Sequence, residues 1–109
     1  MNYQHKQLAQ GRWQKLTLME QLANVGSEVD RTIIWREKKA EYSRMAFERA
    51  LELLDLTLED EKNKKRLKEI SRVREALVDY FTGKNEYAST DELWQDYFFA
   101  FNFAARINR

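Results

Sequence analysis

The chain has 109 residues, 43% hydrophobic and 34% charged, which bounds it to one domain and excludes both a membrane-embedded protein and a disordered tail. Lys plus Arg number 19 against 18 for Asp plus Glu, and a net charge of +1 argues against an overall cationic nucleic-acid binder, though not against a local patch. Cysteine and proline are absent and glycine occurs three times, which excludes disulfides, thiolate zinc, a Cys nucleophile and a fold of many short strands.

Residues 1–12 are polar and weakly patterned, and read as a frayed lead-in to a single domain spanning 1–109. They contain no hydrophobic stretch of the kind a secretory signal needs, and no apolar run along the chain approaches a transmembrane span. Cytoplasm is the expected compartment, with no membrane partner.

A first helix is expected from about Trp13 to Lys38, because Met19, Leu22, Gly26, Val29 and Ile33 recur at three- and four-residue steps. Gly26 sits mid-helix, where it costs about 1 kcal/mol against Ala, and a close helix–helix approach is the expected compensation. A second helix is expected from about Glu41 to Leu58, with Ala46, Phe47, Ala50, Leu53, Leu54 and Thr57 facing the core. Glu48, Glu52, Asp55 and Glu59 lie on the opposite, polar side. A third helix follows from about Asn63 to Thr82 on the stripe Leu67, Ile70, Arg74, Leu77, Val78 and Phe81. Gly83 comes next, where a left-handed cap would suit it. A fourth helix is expected from about 90 to 107. Ser89-Thr90-Asp91-Glu92 reads as its capping box, and Trp94, Tyr97, Phe98, Phe101, Ala104 and Ala105 form its stripe. Four helices with short connections predict an all-α, antiparallel four-helix bundle.

Little in this pattern points to catalysis. His5 is the single histidine and has no partner at ligand or catalytic spacing. A di-iron bundle would need Glu-x-x-His on two helices, and that motif does not occur. No enzyme, metal or cofactor is therefore expected.

Three features remain. Lys62 to Arg74 holds seven basic residues and one acidic, with Lys62, Lys64, Lys65, Arg66, Lys68 and Arg72 as candidate phosphate ligands. The competing expectation is that Lys65, Lys68 and Arg72 lie against Glu52, Asp55 and Glu59 of the preceding helix and set helix pairing. Arg36 and Arg74 fall on or beside apolar stripes and must be paired or line a polar cleft. For Arg36, Glu28 and Asp30 are the expected structural partners. Nine of the fourteen aromatics lie between Tyr80 and Phe103, more than one core stripe can hold. The surplus predicts an interface through Trp94, Phe98, Phe99 and Phe103, and hence a homo-oligomer or another protein partner.

The segments GSEVDRTIIWREKKAEYSRMAFERALELLDLTLED, RLKEISRVREALVDYFTG and STDELWQDYFFAFNFAARI resemble small prokaryotic helical-bundle proteins with no established activity. The chain is also loosely similar to HEPN domains, whose ribonuclease members place an Arg four to six residues before a His. No Arg precedes His5, so this resemblance carries over no catalytic residue. It implies a non-catalytic, toxin–antitoxin-like partner. The resulting expectation is a non-enzymatic interaction protein that self-associates through its fourth helix. The alternatives are a nucleic-acid-associated accessory protein and the toxin–antitoxin-like partner.

Overall fold

The computed structural model describes residues 11–107. Four helices form, α1 (Leu18–Trp35), α2 (Ala40–Glu59), α3 (Leu67–Thr82) and α4 (Asp91–Ile107), with no strand among the described residues. Two short 3-10 turns, Trp13–Lys15 and Glu61–Arg66, precede α1 and α3. His5 lies outside the described residues.

The helix ends differ from expectation for local reasons. α1 begins after Thr17, not at Trp13. The Thr17 hydroxyl accepts from the Glu20 N–H at 3.1 Å, and the Glu20 carboxylate accepts from the Thr17 N–H at 2.9 Å. That reciprocal capping box fixes the start, while Leu16 stays extended and leaves Trp13 in its own turn. α3 begins at Leu67 because the preceding Asp60 caps the 3-10 turn by accepting from the Lys62 N–H.

Gly83 is not left-handed, with φ −108°. Instead, the Asp79 carboxylate accepts from the N–H groups of Glu86 (2.8 Å) and Tyr87 (3.0 Å) and ties down the following loop. Asn85 takes the positive φ, 56°. Its side chain donates to the Ser89 carbonyl and accepts from the Ser89 N–H. The α4 cap is consequently Thr90, whose hydroxyl accepts from the Leu93 N–H at 3.1 Å, and not Ser89.

α1 is the centre of the packing, with α2 against one side and α4 against another. Leu22, Val25 and Val29 of α1 meet Phe47, Ala50, Leu53 and Leu54 of α2 in a core that also takes Ile70, Leu77, Trp94 and Phe98. Burying such a side chain contributes roughly 1.5–3 kcal/mol. Every residue expected on the α2 stripe is buried, whereas Leu67 of α3 is exposed. Contacts between helices run in reverse order along the chain. Arg49 reaches Glu28, while Trp13 reaches Thr57. The α1–α4 approach is close at Gly26, where an added Cβ would lie 2.6 Å from the Phe98 Cβ.

Under this core lies a buried polar node. The Trp13 indole donates to the Thr57 hydroxyl at 3.0 Å. The Gln21 amide nitrogen donates to the Trp13 carbonyl (3.0 Å) and to Asp60 (2.8 Å), and its oxygen accepts from Asn63 (2.9 Å). Asn63 also donates to the Thr57 carbonyl at 2.9 Å. The node joins the segment before α1 to the α2–α3 connection.

Candidate functional site

The two stripe arginines are not brought together. Arg74 of α3 holds Asp55 of α2 through two hydrogen bonds, at 2.8 and 3.3 Å. Arg36, at the end of α1, donates to Asp91 at the start of α4 at 2.7 Å. Its guanidinium lies 5.9 and 5.8 Å from the Tyr80 and Phe81 ring centroids. The Tyr80 hydroxyl donates to the same Asp91 carboxylate at 2.5 Å. Burial and that hydrogen bond both push the Tyr80 phenol above its ordinary value. Asp91 is thus the partner of Arg36, in place of the expected Glu28 or Asp30. Glu28 binds Arg31 and Arg49 instead, at 3.0 and 3.1 Å.

Among the described residues the basic run pairs with α2 only through Arg74 and Asp55. None of Lys65, Lys68 and Arg72 forms an ion pair with Glu52, Asp55 or Glu59. The reason is angular. Successive helical residues advance about 100°, so Arg72 and Arg74 point in nearly opposite directions. With Arg74 clamped on Asp55, Arg72 is turned away from α2 and towards α4. Lys68 shares that face, and Lys65 of the preceding 3-10 turn lies on the same side.

Two of the six basic candidates are already engaged. Lys62 binds Asp60 and the Gln14 carbonyl, and Arg66 binds Glu69 at 2.8 Å. Lys64, Lys65, Lys68 and Arg72 are exposed, with no ion pair to a described residue. α3 and α4 diverge here and leave an open groove of about 650 Å³. Its apolar lining is Val73 and Ala76 of α3 with Trp94, Tyr97 and the exposed Leu93 of α4. Lys65, Lys68 and Arg72 form one rim. The Trp94 indole N–H is buried with no hydrogen-bond partner. Such a donor is costly to leave unpaired, and it marks this seam as incompletely packed. No sequence signal announced the groove, since each helix alone looks fully amphipathic.

Tyr97 reports on the same seam. Burial, with the nearby Glu69 carboxylate adding to it, pushes its phenol up to about 12. The unfolded chain releases this proton near pH 10.0, so between there and about pH 12 the unfolded state binds fewer protons than the folded one. Stability should therefore fall as pH rises through that window. Tyr97→Phe should flatten the fall, as measured by urea unfolding at successive pH values.

The aromatic candidates on α4 divide in two. Trp94 and Phe98 are 8% and 4% exposed and belong to the core of the bundle. Phe99 and Phe103 are 65% and 55% exposed, with rings stacked at 6.5 Å between centroids. Ile107 continues their stripe at 62% exposure. Beside Phe99, a hollow of about 330 Å³ between α1 and α4 brings in the exposed Ile34. This outer stripe and the α3–α4 groove occupy different faces of α4.

Among the described residues no three His, Asp or Glu side chains cluster as a metal site, and no helix is long and apolar enough to cross a membrane. The likeness to helical-bundle and HEPN-like proteins rests on the quoted segments alone. Set against family models, curated proteins and solved structures, the chain matches none of them.

Proposed function

We propose that this protein is a non-enzymatic interaction module that self-associates through the outer face of α4. One observation carries the reading: Phe99, Phe103 and Ile107 stand at four-residue steps and all lie more than half exposed. A contiguous apolar stripe of this kind is rare on a soluble monomer. In a symmetric dimer each subunit would bury what remains exposed of all three, at roughly 1–2 kcal/mol apiece. The sum over two subunits is comparable with the roughly 4–15 kcal/mol that association costs in lost freedom. Ile34 extends the patch onto α1.

Light scattering at micromolar concentration tests this. The expected mass is two chains or more. Phe99→Glu with Phe103→Glu should return it to one chain with unchanged helical circular dichroism. A wild-type mass of one chain that does not change with concentration would remove the reading.

A second reading is a nucleic-acid accessory protein. It is favoured by Lys64, Lys65, Lys68 and Arg72 having no carboxylate partner on α2. Filter binding to duplex and single-stranded oligonucleotides across a salt series decides it, because phosphate contacts weaken steeply as salt rises.

A further inference from the structure

We infer that the α3–α4 groove is a docking site for an acidic amphipathic helix of a partner protein, independent of the self-association stripe. The groove has an apolar lining and a cationic rim, a combination that matches a helix with one apolar face edged by carboxylates. From Lys68 to Ala76 the α3 wall rises roughly 12 Å, the length of about two helical turns, and Lys65 of the 3-10 turn extends it at one end. Lys68 and Arg72 stand one helical turn apart on α3, so carboxylates four residues apart on a partner helix would meet them in register, with Lys65 of the 3-10 turn beyond them. Val73, Leu93 and Trp94 would receive its apolar side chains.

Charge complementarity separates this occupant from others. A nucleic-acid backbone needs a continuous run of cations, and here the rim is interrupted. Arg66 is bound to Glu69, and Glu69 itself lines the groove. At the far end the negative charge of Glu75 stands close enough to Tyr87 to push its phenol above the ordinary value. A helix needs only two or three cations and an apolar bed, both of which are present. Residues 1–10 contain no Asp or Glu, so charge does not nominate that segment of the chain.

The test uses a fluorescein-labelled synthetic peptide about four turns long, with leucines on one face and glutamates along its edge. A second peptide carries lysine at every glutamate position. Both are titrated by anisotropy against the wild-type protein and against the Phe99→Glu, Phe103→Glu variant, so failure of self-association cannot mimic failure of docking. The acidic peptide should bind at micromolar concentration and the lysine peptide about tenfold more weakly or worse. Lys68→Glu with Arg72→Glu should invert that preference. Both residues are exposed and form no ion pair with a described residue, and circular dichroism checks that the variant keeps its helices. Leu93→Asp, at an exposed position, should weaken both peptides. Equal binding of the two peptides, no binding of either, or no inversion in the double variant would overturn the inference. So would a single-stranded oligonucleotide that binds more tightly than the acidic peptide and is lost in the same variant.

Discussion

Gln21→Ala is expected to lower the unfolding free energy by about 2–5 kcal/mol, a large share of the roughly 5–15 kcal/mol a domain of this kind possesses. Gln21 is fully buried, and its amide serves three groups at once: the Trp13 carbonyl, the Asp60 carboxylate and the Asn63 amide. Alanine removes one hydrogen bond from each, leaving the Trp13 carbonyl to the Leu16 N–H, Asp60 to Lys62 and Asn63 to the Thr57 carbonyl, and it opens a cavity as well. The carboxylate matters most, because an ion deprived of a buried donor costs more than a neutral group. In urea the midpoint should fall while the slope stays constant, since the surface exposed on unfolding does not change.

Asp60 adds a pH signature to the same node. Burial by itself would raise its pKa. The hydrogen bonds from the Lys62 ammonium, the Gln21 amide and the Lys62 N–H outweigh burial, so the group sits below its ordinary value of 3.8. A carboxyl depressed in the folded state contributes stability above that ordinary value and loses it as pH falls through the folded value. The wild-type protein should weaken in acid through this group. In Gln21→Ala one of the three donors is gone, and the acid-dependent part of the loss should shrink. Parallel urea titrations from neutral pH to below pH 3.8 check both statements.

That node also shows where sequence reading stops. The four stripes were legible because apolar residues at helical spacing name their own face, and the α2 stripe from Ala46 to Thr57 is buried as read. Gln21, Asp60 and Asn63 are polar, and periodicity assigns polar residues to the surface. Their burial follows from one another across separations of 39 and 42 positions, which no local window sees. The Thr17–Glu20 capping box is written in the residues, and it starts α1 at Leu18 in place of the expected Trp13. For the basic run, the sequence contained the charges but not the rotation of α3. Burial of Ile70, Val73 and Leu77 sets which side of that helix turns inward, and the bidentate pair of Arg74 with Asp55 follows from it. The rim cations then face α4, and the groove exists only in three dimensions.

Gly26→Leu should detach α4 from the bundle. In the native structure the backbone of α1 comes so near α4 that even a single methyl at residue 26 would overlap the Phe98 Cβ at 2.6 Å and its Cγ at 2.9 Å. The nearer obstacle is not the free end of a side chain, so rotation of the Phe98 ring cannot clear it. The helices themselves must separate. For Ala, about 1 kcal/mol of improved helix propensity offsets part of this strain. For Leu the added volume has no such room, and overpacking should cost about 3 kcal/mol or more. α4 packs chiefly on α1, and its other anchors are the clasp of Asp91 with Arg36 and Tyr80 and the sparse contacts along the α3 seam. Separation at residue 26 therefore releases the fourth helix before the α1–α2 pair, which keeps Val25, Val29, Ala50 and Leu54 in contact. Hydrogen exchange should show protection lost along 91–107 and retained across α1 and α2. Uniform loss of protection across all four helices would show instead that α4 is inseparable from the core.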